Sequence, residues 1–191
     1  KGSRLKSIIP KALVTLKRKP LVFWSLEIFE QCSLIDSVVL VANKEYMKDF
    51  KKIASKFLKV KSVVAGGVMR SDSVRLGLQA TDENTSFVLV HDAARPLIDE
   101  SSIRRLIDVV KKYKAAILAV PVKPTIKMVN AKDLSIEKTL PRNLLWEAQT
   151  PKGFERNLLI KAHAQKLKDE VTDDAMLLER MGVKVKIVMG H

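Results

Sequence analysis

Residues 87–96 read Phe87-Val88-Leu89-Val90-His91-Asp92-Ala93-Ala94-Arg95-Pro96. Four apolar residues in a row fit a strand buried on both faces, and the run stops abruptly at a histidine, an aspartate, two alanines, an arginine and a proline. In open parallel sheets, ligands collect just outside the carboxyl ends of the strands. A carboxylate and a guanidinium stand at such a mouth here, separated only by residues small enough to let a ligand approach. Asp92 can accept a hydroxyl or hold a metal, and Arg95 can fork onto a phosphate. The plainer alternative is a solvated strand-to-helix turn in which Asp92 and Arg95 pair with each other.

Working outward, strand-like runs recur at 37–42, 62–65, 115–120 and 183–188. Helical patterns lie between them at 21–31, 45–56, 71–80, 100–113, 156–168 and 173–180. Pro20 and Gly182 stand where helix starts and stops favour them. Apolar strands alternating with amphipathic helices predict one α/β domain over residues 1–191, a mostly parallel sheet with helices on both faces. One stretch breaks the alternation. Residues 125–129 and 136–140 read as two strands joined by Asn130-Ala131-Lys132-Asp133, followed by an extended run at 144–149. This predicts a protruding hairpin arm over about 122–145. A lone hairpin is marginal in water, so the arm is expected to pack on a second copy of the chain.

With 47% apolar residues and a mean hydropathy near zero, the 191-residue chain should bury a core. No apolar run reaches the ~20 residues of a membrane helix, and nothing at the start reads as a secretory signal. The one cysteine, Cys32, excludes an internal disulfide and fits a buried thiol in a reducing compartment, so a cytoplasmic location is expected. His91, His163 and His191 form no ligand cluster, which argues against zinc. The net charge of +14 points to anionic partners. Residues 1–20 carry Lys1, Arg4, Lys6, Lys11, Lys17, Arg18 and Lys19 without an acid. Interleaved Leu5, Ile8, Ile9, Leu13, Val14 and Leu16 favour a loop gripping a polyphosphate over a disordered nucleic-acid tail. The lysines within 48–61 and 161–168 read as solvated helix faces.

Three further constellations carry chemistry. Gly2-Ser3-Arg4 with Pro10-Lys11 joins a close backbone approach to fixed positive charge, though its spacing fits neither common glycine-rich phosphate pattern. Gly66-Gly67-Val68-Met69-Arg70-Ser71-Asp72-Ser73 follows a strand and opens a helix. It is either an anion or nucleobase cradle with Ser73 as a further contact, or a tight turn with Ser71 as N-cap. Arg142-Asn143 and residues 146–151, Trp146 to Pro151, set polar groups into extended sequence, with Thr150 held extended before Pro151. Thr172-Asp173-Asp174 reads as a helix start, with Thr172 as the cap and the aspartates complementing the helix dipole.

Together these segments resemble the 2-C-methyl-D-erythritol 4-phosphate cytidylyltransferase family of the non-mevalonate isoprenoid pathway. The matching residues are Gly-Ser-Arg-Leu…Pro-Lys at 2–11, Gly-Gly…Arg…Asp-Ser-Val at 66–74, Val-His-Asp-Ala-Ala-Arg-Pro at 90–96 and Ala-Val-Pro-Val…Thr-Ile-Lys at 119–127. Arg142-Asn143, the Leu-Trp…Ala-Gln-Thr-Pro of 145–151 and Thr-Asp-Asp-Ala at 172–175 complete the set. The resemblance implies a Rossmann-like fold of the nucleotide-diphospho-sugar transferase type and transfer of a cytidylyl group from CTP to a polyol phosphate, with Mg²⁺. Arg4 and Lys11 match the pair that stabilises the transition state. Gly2, Ser3, Gly66, Gly67, Arg70 and Ser73 fall on the nucleotide side. Asp92, Arg95, Thr125, Arg142 and Thr150 match positions holding methylerythritol phosphate, with Arg142 orienting the attacking phosphate and Asp92 the one protein group at the metal. In the family the arm reaches into the neighbouring subunit's site, so a homodimer with arm exchange is expected.

The chain departs from the family at Pro124, at Ala12-Leu13 and at Lys152. Relative to it, the sequence also lacks a first strand running into Gly2 and a closing Asn-x-Lys segment. A longer protein is therefore expected, and a sheet built from these residues alone should carry an unpaired slot. Ribitol-5-phosphate cytidylyltransferase shares the 149–151 motif and is the rival within the class. A basic nucleic-acid-binding domain would explain the charge but not the mouth at 91–96.

Overall fold

The computed structural model describes residues 9–165 and 171–191. Gly2, Ser3 and Arg4 therefore lie outside the described residues. The basic segment continues as a 3-10 turn, Lys11–Leu13, and a ribbon of two short strands, β1 (Thr15–Leu16) and β2 (Lys19–Pro20). Lys17 and Arg18 turn that ribbon at positive φ, so they form its tip. Lys19 is held over the rings of Phe23 and Trp24 and pairs with Glu27. Three of the cations read as a phosphate grip thus build a local turn instead.

Helix α1 (Leu21–Gln31) starts after Pro20 and presents Val22, Leu26 and Phe29 to the interior. Its last carbonyls receive Nζ of Lys59, at 2.7 Å from the Cys32 oxygen, so this lysine of the 48–61 run caps a helix rather than solvating a face. Strands β3 (Val38–Ala42) and β4 (Val60–Ala65) pair in parallel, with α2 (Met47–Ala54) between them in sequence. Helix α3 (Arg70–Gln79) leads to β5 (Phe87–Val90), and α4 (Glu100–Tyr113) to β6 (Ala115–Pro121). The arm is β7 (Lys127–Val129) paired with β8 (Ile136–Thr139). Then come β9 (Trp146–Glu155), α5 (Arg156–His163), α6 (Asp174–Arg180) and β10 (Lys186–Met189).

The larger sheet has the order β10-β6-β9-β5. Strands β5, β6 and β10 run the same way; β9 runs against both of its neighbours. The extended run expected at 144–149 is therefore only the first half of a ten-residue strand. Its second half, 152–155, lies between β5 and β6 in the middle of the sheet. Phe154 is wholly buried there, and Gly153 lets α4 sit close: a Cβ would come 2.5 Å from Val110 Cγ2 and 3.0 Å from Leu89 Cδ2.

Among the described strands, none bridges β3 and β5. Their facing edges, 40–42 and 88–90, border a cavity of about 1210 Å³ floored by Val22, Leu26, Phe29 and Val110. At its polar end the cavity reaches Gly66, Gly67, Arg70, Ser73, His91 and Asp92. The cavity thus leads from the core to the mouth singled out in the sequence.

Candidate active site

The turn after β5 is organised by His91. Its ring packs edge-on against Phe29, and its Nε2 lies 3.1 Å from the Arg95 carbonyl oxygen. A carbonyl can only accept, so Nε2 carries the hydrogen. Burial pushes this imidazole down to about 4, so it is neutral at physiological pH and its Nδ1 is a bare acceptor. The partner of Nδ1 is Thr150 Oγ1 at 3.2 Å. Thr150 therefore donates its hydroxyl proton to His91 while accepting from the Asp92 amide at 3.3 Å. One lone pair remains on Oγ1, and it can receive a donor such as a substrate hydroxyl.

Asp92 and Arg95 do pair, with Nε to Oδ2 at 3.1 Å. Both side chains are about half exposed, and an exposed pair of this kind contributes at most ~1 kcal/mol. Either partner can exchange the other for a ligand. Asp92 is a carboxylate at this mouth that could hold a metal, and the described residues hold no group of three or more His, Cys, Asp or Glu suited to one. That donor set fits a hard cation carried in largely by phosphate oxygens, as Mg²⁺ is.

Across the mouth, the glycine loop is stapled from within. The Gly66 amide donates to the Ala42 carbonyl at 2.8 Å, and the Gly67 amide to Ser73 Oγ at 3.2 Å. Ser73 in turn donates to the Met69 carbonyl at 3.3 Å. Both glycine amides are thus engaged, so the loop can serve a ligand by close approach and shape more than by these donors. The cap of α3 is not Ser71. Met69 holds the N-cap position, and its amide donates to the Asp72 carboxylate at 3.1 Å. A Cβ on Gly67 would collide with that Asp72 side chain.

The cap of α6 is likewise Asp173, which accepts from the Met176 amide at 2.9 Å, and not Thr172. Its second oxygen takes Nζ of Lys152, a lysine only 4% exposed. Asp174 is 1% exposed and accepts from Arg70 Nη2 at 2.7 Å and from His163 Nε2 at 3.2 Å. Burial alone would raise this carboxyl. The hydrogen bonds of His163 and Arg70, with the charge of Arg70, outweigh it and hold the group down to about 2. A carboxyl depressed on folding stabilises above its ordinary value and loses that contribution as pH falls through the folded one. Asp174 should therefore contribute on the order of 2 kcal/mol at neutral pH, lost between about pH 4 and pH 2. Denaturant unfolding at a series of pH values should show the stability gap between wild type and Asp174→Asn closing over that window. Asp99, where hydrogen bonds from Ser101 and Ser102 outweigh burial to hold the carboxyl at about 2, titrates in the same range but is present in both proteins.

The remaining assigned residues are placed as follows. Ala12 and Leu13, next to Lys11, pack on the same buried cluster as Ala93 of the mouth, which brings the Lys11 turn to this side of the molecule. Arg142 is exposed at the root of the arm and donates to the Lys123 carbonyl at 2.8 Å. Neither it nor Thr125 is hydrogen-bonded to residues 91–95 of its own chain, among the described residues. His91, Lys152 and Asp174 are the site residues that sequence reasoning passed over.

A family model described as IspD, 2-C-methyl-D-erythritol 4-phosphate cytidylyltransferase, matches residues 1–191. The chain belongs to this family. Similar relatives bearing that enzyme name occur in Clostridioides difficile, 40% identical over 99% of this chain and 81% of the relative, and in Microcystis aeruginosa, 41% identical over 100% and 85%. The crystal structure of 4-diphosphocytidyl-2C-methyl-D-erythritol synthase from Anaerococcus prevotii superposes with a TM-score of 0.88 at 28% identity, covering 94% of this chain and 84% of that one. The family places the fold among nucleotidyltransferases of Rossmann-like type. No helix of the described residues is long and apolar enough to cross a membrane.

Proposed function

We propose that the protein transfers the cytidylyl group of CTP to 2-C-methyl-D-erythritol 4-phosphate, releasing pyrophosphate, as a cytoplasmic step of isoprenoid precursor synthesis. The observation that carries this reading is the mouth itself, where Asp92 and Arg70 line one cavity with the glycine loop and where Arg95 and Thr150 are bonded to Asp92. In the reaction, a phosphate oxygen of the polyol attacks the α-phosphorus of CTP, and the bond from that phosphorus to the bridging oxygen of the leaving pyrophosphate breaks. A phosphate monoester is already an anion near neutral pH, so no general base is needed. His91 fits that chemistry: with one nitrogen on a carbonyl and the other on Thr150, it has no free edge from which to take a proton.

Lys11, with Arg4, neutralises charge developing on the α-phosphate and leaving group. Arg142 aligns the attacking phosphate, Thr125 binds beside it, and the free lone pair of Thr150 receives a polyol hydroxyl. Asp92 would hold Mg²⁺ together with the triphosphate, and the ion would supply further positive charge there. We assign Arg142 and Thr125 to the site of a second subunit. Supporting this, the arm exposes Leu134 and Ile136, and Leu144 at its root is 71% exposed, so the arm has little core of its own.

Pyrophosphate release with CTP or ATP, each paired with methylerythritol phosphate or ribitol 5-phosphate, tests the reading. CTP with methylerythritol phosphate should be preferred by at least about tenfold over every other pairing. Equal rates with ATP, or a preference for ribitol phosphate, would overturn the substrate assignment.

A further inference from the structure

Arg70 opens α3 directly after the glycine loop and lines the mouth. The negative charge of Asp92 acts on it from the other side of that mouth. One guanidinium nitrogen, Nη2, is fixed on Asp174, while Nη1 and Nε have no hydrogen-bond partner among the described residues. The side chain is 39% exposed on a carboxylate that is 1% exposed. Behind it, His163 from the end of α5 holds the other Asp174 oxygen, and the neighbouring Asp173–Lys152 pair ties the same helix start to β9, two residues beyond Thr150.

Such a network adds only modestly to a fold, because desolvating buried ions offsets much of their attraction. It does immobilise a planar cation. Arg70 without Asp174 would be a long side chain free to sample many rotamers, and ordering it at the moment of binding would cost affinity. We propose that Asp174, braced by His163, is a positioning residue that holds Arg70 with its free N–H edge toward acceptor atoms of the bound nucleotide. The inference rests on the cytidylyltransferase reading and assigns to the Thr172-Asp173-Asp174 helix start a task beyond capping.

A double-mutant cycle measured by steady-state kinetics tests it. Losing a prepositioned charged hydrogen bond should raise the KM for CTP by about tenfold in Asp174→Asn and in Arg70→Ala. The KM for the polyol phosphate should stay within about twofold in both, and the double variant should be no worse than Arg70→Ala alone. A purely structural role predicts losses that add, or that strike both substrates alike, and either result would overturn the proposal. If Asp174→Asn does not fold, His163→Ala and His163→Gln replace it. Alanine removes the brace and should raise the KM for CTP, whereas glutamine keeps an N–H donor and should restore it; no difference between the two also overturns the proposal. Wild-type protein without CTP-dependent pyrophosphate release would instead end the reading beneath it.

Discussion

Lys11→Ala should lower turnover about a hundredfold or more while the KM for CTP changes only a few-fold, as expected when a charge acts mainly on the transition state. The structure makes the experiment clean. The Lys11 turn is held by its backbone, with the Leu13 amide on the Pro10 carbonyl at 2.9 Å and the Val14 amide on the Lys11 carbonyl at 3.0 Å. Ala12 and Leu13 supply the packing, and the Lys11 side chain has no ion pair among the described residues. Truncation thus removes a cation without breaking an ion pair among the described residues, so thermal stability should hold to within about 1 kcal/mol. Single-turnover rates with saturating CTP would separate the chemical step from binding. Turnover within threefold of wild type would remove Lys11 from the mechanism.

The second large effect is a recovery. Lys11→Ala and Arg142→Ala should each be nearly inactive as homodimers, yet mixing them should restore activity if the arm serves the partner's site. A mixed dimer then has one site with both residues intact and one with neither. Random exchange makes half of the dimers mixed, so about a quarter of wild-type activity should return. Co-refolding the two variants and assaying pyrophosphate release, with mixed dimers confirmed by native mass spectrometry, decides the matter. No recovery would put Arg142 in its own subunit's site or outside the reaction.

Much of this fold was legible because each element carried its own signal. Helices 21–31 and 100–113 and strand 87–90 lie where periodicity and flanking residues put them. The second half of β9 was not legible for a physical reason. Thr150-Pro151-Lys152-Gly153 has the composition of a turn, and a lysine argues for solvent. The strand survives because Asp173, twenty-one residues away, compensates the Lys152 charge, and because Gly153 is required by close packing of α4. Neither fact is local. The same holds for the site: the 91–96 turn announced itself, whereas the Thr150–His91 bond depends on β9 lying beside β5. Asp174 was hidden differently, since an aspartate at a helix start reads as a dipole partner and only tertiary structure shows Arg70 upon it.

The course of β9 also bears on how the chain tolerates changes in length. Residues 146–148 pair with 119–121 and residues 152–155 with 115–117 and 87–90, while 149–151 bulge between them and set Thr150 at the mouth. A single-residue insertion or deletion here would either reverse the alternation of every side chain on one side of it or pull Thr150 away from His91. The arm's tip has no such constraint. Residues 130–135 close a turn on their own hydrogen bonds, such as the Asn130 amide on the Ser135 carbonyl at 2.9 Å. Divergence by insertion and deletion is therefore open at the end of the arm and closed at its root.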